Sequence, residues 1–81
     1  MNRFHTVEKT TDYGTQQILF KRGKRILAWI EKREWGWGDV QWDYSLGIPS
    51  KKPHIYYWSN TYDEAEANIL NMLKDRKEVQ Q

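Results

Sequence analysis

The sequence predicts an α+β domain, a four- to five-stranded antiparallel sheet built as a meander of hairpins with one C-terminal helix packed on one face. Three observations predict it. Apolar residues recur at helical spacing only after Ser59, and the chain before that point reads as extended runs broken by glycine-bearing turns. The 81 residues, 38% of them apolar, suffice for one core and not for two, so a single domain is expected over 1–81, with strands within about 2–58 and the helix at about 62–77.

Each element has its own local signal. Asn2 to Lys9 is expected as a first strand ending at the turn-like Thr11-Asp12-Tyr13-Gly14. Gln17 to Arg22 and Lys24 to Glu31 flank Gly23, the residue a tight hairpin favours at positive φ. A two-residue loop with regular pairing would put Ile18 and Phe20 on one face with Leu27 and Trp29, and Leu19 on the other with Ile26, Ala28 and Ile30. Gly36 and Gly38 mark the next turn. Val40, Trp42, Tyr44 and Leu46 then alternate with Asp39, Gln41, Asp43 and Ser45, the pattern of a half-exposed strand. Residues 47–53 carry Pro49 and Pro53 and read as a loop, and His54 to Trp58 as a short strand. Thr61 followed by Glu64 is a capping box. Asp63, Glu64 and Glu66 in the first turn and Lys74, Arg76 and Lys77 in the last suit the helix dipole. Tyr62, Ala65, Ile69, Met72 and Leu73 make the apolar stripe, with Leu70 at its margin and a frayed end at Val79-Gln80-Gln81.

Composition narrows the function classes. With no Cys and no ligand spacing for a structural metal, the core must come from packing, and five Trp, five Tyr and two Phe supply the large side chains. A mean hydropathy of −0.97 reflects balanced charge, 13 basic against 11 acidic residues, and not disorder. Residues 1–59 hold ten basic and six acidic groups, +4, while 60–81 hold three and five, −2, so any basic site lies on the sheet. There is no run long enough to cross a membrane and no leader-like segment after Met1, so a cytoplasmic protein is expected.

Catalysis finds little to use. His5 and His54 share no metal-binding spacing, and nucleophile-elbow, Walker and dinucleotide-loop motifs are absent. Asp39 and Asp43 are near enough for paired carboxylates, but their alternation with Val40, Trp42 and Tyr44 favours solvated surface. No enzyme, cofactor or metal is expected. Two partial resemblances are set aside. Ile55 to Asn60 resembles the tyrosine-rich strand of a WW domain, but the paired Trp and closing Pro are misplaced and a helix follows. Lys21-Arg22-Gly23 resembles the start of an RNA-recognition motif, yet the stacking aromatics are missing from 24–28.

Two binding signals remain. Trp35-Gly36-Trp37-Gly38-Asp39 places two tryptophans in a flexible turn that a folding requirement alone seldom asks for, and Trp is the residue most enriched at binding hot spots. A protein partner contacting Trp35, Trp37, Asp39, Trp29 and Trp58 is the leading expectation, in the format of an accessory inhibitor or adaptor such as phage and mobile elements encode. The other signal is the basic hairpin Lys21, Arg22, Lys24 and Arg25, extended by Lys51 and Lys52, which would serve a nucleic-acid ligand as the alternative reading. Because the first hairpin is apolar on both faces and one helix covers one, a homodimer or a partner is expected to cover the remainder.

Overall fold

The structure is a computed structural model, and it describes residues 4–12, 14–49 and 56–79, with side chains as far as Lys74. Five strands follow one another, β1 (His5–Thr10), β2 (Gln16–Arg22), β3 (Arg25–Glu34), β4 (Val40–Leu46) and β5 (Tyr57–Ser59), and then a helix, α1 (Tyr62–Val79). The strands lie in the sheet in chain order, each antiparallel to the next, as hairpin connections dictate.

The turns explain the order. Gly23 has φ 61° and Lys24 is not at positive φ, the pattern of a type II′ hairpin loop closing on the Arg22–Arg25 pair. The β1–β2 and β3–β4 connections share a different loop. Thr11 N–H donates to the Thr15 carbonyl at 2.9 Å and Gly14 N–H to the Thr11 carbonyl at 2.9 Å, with Gly14 at φ 83°. Trp35 N–H donates to the Asp39 carbonyl at 2.9 Å and Gly38 N–H to the Trp35 carbonyl at 3.0 Å, with Gly38 at φ 96°. In both, the glycine that ends the loop takes a positive φ.

The faces of the first hairpin differ from regular pairing. Arg22 pairs with Arg25 and Lys21 with Ile26, but Phe20 pairs with Ala28, so Leu27 is an extra residue in a β-bulge. One inserted residue reverses every side chain beyond it. Ile18 and Phe20 therefore share a face with Ala28 and Ile30, while Leu19 shares the other with Trp29. The bulge gathers the branched aliphatics under the helix, and that burial offsets the lost ladder bond.

The helix packs chiefly on β4, with β3 and β5 beside it. Ala65 and Ile69 are fully buried against Ile18, Phe20, Ala28, Ile30 and Tyr44, and Tyr62, Met72 and Leu73 pack around them while Leu70 stays exposed, as the stripe predicts. At the cap, Glu64 N–H donates to Thr61 Oγ1 at 3.2 Å, the threonine half of the capping box. The helix begins where expected and runs to Val79, two residues past its expected end and into the first residue of the expected fray. The side chains of Arg76 and Lys77 lie outside the described residues, as do Gln80 and Gln81. The last strand is shorter than expected and shifted to Tyr57–Ser59, with His54 and Ile55 outside the described residues.

The face away from the helix is not bare. Leu19 and Trp29 are buried within the single chain, and the Tyr56 ring lies against Trp29 at 6.3 Å between centroids. Leu19 and Trp29 therefore need no second copy to bury them. β4 is likewise not half-exposed, because Asp43 and Ser45 are buried along with Tyr44.

Candidate functional site

The site is built on the face opposite the helix, at the end of the sheet where β3 turns into β4. Period-two alternation puts Trp29, Glu31 and Arg33 of the third strand on that face together with Gln41 and Asp43 of the fourth, and pairing with Asp43 puts Trp58 there too. Trp35 and Asp39 follow and precede these strands, joined by the Trp35 N–H bond to the Asp39 carbonyl.

At its base is an ion pair. Arg33 Nη2 lies 2.8 Å from Asp43 Oδ2, and Gln41 Nε2 donates to Asp43 Oδ1 at 2.7 Å. Asp43 is 1% exposed, which corrects the expectation of a solvated carboxylate. A buried charge is tolerated only when paired, and the cross-strand arginine supplies the pairing. Arg33 also donates to the Tyr56 hydroxyl at 2.8 Å. Its guanidinium lies 5.7 Å from the Trp35 ring centroid and 6.0 Å from that of Tyr56. Burial acts to lower its pKa, but Asp43 and the Tyr56 contact outweigh it and hold the group above its ordinary value. Arg33 thus belongs to this scaffold and does not extend a basic patch.

On that base stand the two loop tryptophans. The Trp35 and Trp37 rings are stacked, 5.3 Å between centroids and 10° from parallel, and Trp37 Nε1–H donates to Asp39 Oδ2. Trp35 is 37% and Trp37 72% exposed, so neither ring folds back as a lid. Tyr56, Arg33, Trp35 and Trp37 form a continuous series of contacts rising from the sheet, which holds two large apolar surfaces in water at fixed positions. Trp58, 58% exposed, stands on the same face.

Of the residues expected to meet a partner, Trp35, Trp37, Asp39 and Trp58 are therefore accessible on one face. Trp29 is not. It is 0% exposed beneath Tyr56 and supports the face from within, because the bulge at Leu27 turned it away from the helix and into the aromatic layer. Arg33, Asp43 and Tyr56 are the contributors that the sequence did not single out for this site. Their signal is the i, i+2 spacing of Arg33 and Trp35 facing Asp43, which becomes legible only with the register in hand.

The basic residues lie elsewhere. Arg22, Lys24 and Arg25 are exposed and Lys21 is half-buried, and none of the four forms an ion pair with a described residue. The length of β3, ten residues, separates this tip from the tryptophan loop, about 30 Å at roughly 3.3 Å per residue. Lys51 and Lys52 lie outside the described residues. Among the described residues no group of three His, Cys, Asp or Glu side chains is placed to hold a metal, and no helix is long and apolar enough to cross a membrane. In comparisons with known proteins the chain matches no family model, no curated protein and no solved structure.

Proposed function

We propose that the protein is a non-enzymatic binding protein that recognises a protein partner through Trp35, Trp37 and Trp58. The observation that carries the reading is the exposed Trp35–Trp37 stack, anchored through Arg33 to the buried Asp43. Exposing two indoles costs solubility, and the anchoring restrains them so that less conformational entropy is lost on association. Preorganised Trp is the side chain that interfaces reward most. A role as an accessory inhibitor or adaptor in the cytoplasm fits this format. Nucleic acid is the weaker reading, because the cations at 21–25, which pair with no described residue, stand at the other end of the third strand from the rings that would stack on bases.

The test is capture from lysate of the source cells, with and without nuclease, using the wild type and a Trp35→Ala/Trp37→Ala double variant. A nuclease-resistant protein partner should be retained by the wild type and lost by the variant, with about 2 kcal/mol or more of affinity per ring, while circular dichroism stays unchanged. Full affinity in a folded double variant would refute the reading. A nuclease-sensitive ligand whose binding falls with salt at a log–log slope of about −3 would transfer the function to Lys21, Arg22, Lys24 and Arg25.

A further inference from the structure

We propose that the outer face of Trp37 and the Asp39 carboxylate together bind an arginine side chain of the partner protein. The inference rests on the protein-binding reading above and names the chemistry of its contact.

The protein contains the same contact once already. In the anchoring layer an arginine lies over an indole, Arg33 on Trp35 at 5.7 Å, and is bound by a carboxylate, Asp43, at 2.8 Å. One step outward, Trp37 offers an indole parallel to the first, and Asp39 brings a carboxylate to its edge by accepting the indole N–H on Oδ2. Asp43 lies in β4 and Asp39 immediately before it, where its carbonyl accepts the Trp35 N–H at 2.9 Å. Among the described residues the outer pair has the ring and the acid but no cation, since Asp39 forms no ion pair with any of them.

Charge and geometry favour arginine over other occupants. Arg33 is paired with Asp43, and Glu34, on the opposite face, with Lys32 at 3.6 Å, so the Asp39 charge makes the tryptophan loop attractive to a cation and repellent to phosphate or a carboxylate. A guanidinium is planar and weakly hydrated, so it stacks on an indole face while its edge donates to a carboxylate, whereas an ammonium is a strongly hydrated point charge. A proline-rich segment would also stack on Trp37 but would leave Asp39 unused.

The contact can be read by following the indole N–H resonances of the full chain while capped Gly-Arg-Gly, Gly-Lys-Gly and triproline peptides are titrated in. The arginine peptide should shift the Trp37 indole resonance saturably and bind about two- to fivefold more tightly than the lysine peptide, the range of an exposed cation–π contact. Asp39→Asn keeps an oxygen for the indole bond and removes the charge, so it should weaken the arginine peptide by a similar factor without moving the other resonances. Equal response to arginine and lysine, no loss in Asp39→Asn, or saturation by triproline alone would each overturn the proposal. The two readings fail separately. If the double Trp variant loses its captured partner while the arginine peptide leaves Trp37 unmoved, protein binding stands and the arginine contact falls. If the peptide binds but the partner is kept by the double variant, the site exists and the protein-binding reading falls.

Discussion

At the scale of single residues, Arg33 and Asp43 show how a binding surface constrains the sheet beneath it. The two members of the pair are unequally buried, since the Arg33 side chain keeps 39% of its surface in contact with water and that of Asp43 only 1%. Removing the arginine strands a buried carboxylate, while removing the acid leaves a cation that can still reach solvent. Arg33→Leu should therefore cost about 3 kcal/mol or more, and Asp43→Asn, which keeps the shape and a hydrogen-bonding oxygen, markedly less. Chemical denaturation of both variants checks the order, and equal losses would mean that the pair is not the buried anchor described above. The same variants should loosen the Trp35–Trp37 stack, because Arg33 is the contact that ties Trp35 to the sheet.

At the scale of elements, the tryptophan loop depends on one glycine and not on the other. Gly38 sits at φ 96°, where a Cβ is strained whatever space surrounds it, while Gly36 is not at positive φ and has nothing within 4 Å of where a Cβ would stand. Gly38→Ala should lower stability by about 1–2 kcal/mol and reduce partner affinity by misplacing Trp37, whereas Gly36→Ala should leave stability unchanged or slightly raised. Thermal melts of the two variants decide it, and a silent Gly38→Ala would contradict the loop geometry. Much at this scale was legible in the sequence. Thr61 and the acidic first turn placed the start of the helix, and the stripe from Tyr62 to Leu73 identified its buried face. The first hairpin's loop was legible too, because Gly23 is the residue a two-residue connection demands. The faces of that hairpin were not. A bulge leaves no mark in a segment such as Ile26-Leu27-Ala28-Trp29-Ile30, where every residue is apolar and either phase satisfies the pattern.

At the scale of the whole molecule, the helix N-terminus ties the sheet to alkaline stability. Tyr62 meets Trp42 edge-on at 5.5 Å and donates its hydroxyl to Glu66 at 3.3 Å. Burial, then Glu66, then Asp63 and Glu8 push its pKa up to about 12 from 10.0. Between these values the unfolded chain has lost the Tyr62 proton and the folded chain still holds it, so the folded state binds more protons and stability falls as pH rises. Tyr62→Phe should remove this part of the loss, and the gap between wild-type and variant melting temperatures should narrow or reverse from pH 10 to 12. A gap independent of pH would show that the hydroxyl titrates in the folded protein as it does in the unfolded one.

The sequence by itself determined the architecture, the turn positions, the helix with its buried stripe and the isolation of two tryptophans between glycines, because these follow from local conformational preference and from the period of the apolar residues. Only the tertiary structure decided which tryptophans are available. Trp29 and Trp37 were both expected to meet a partner, yet one is sealed beneath Tyr56 and the other stands in water. The difference comes from one inserted residue at Leu27, which sets the faces of the first hairpin, and from pairing across the third and fourth strands, which brings Asp43 under Arg33 and lets that arginine carry Trp35. Contacts of this kind join residues far apart in the chain, and their energies depend on register, a property of the assembled sheet that no single strand contains.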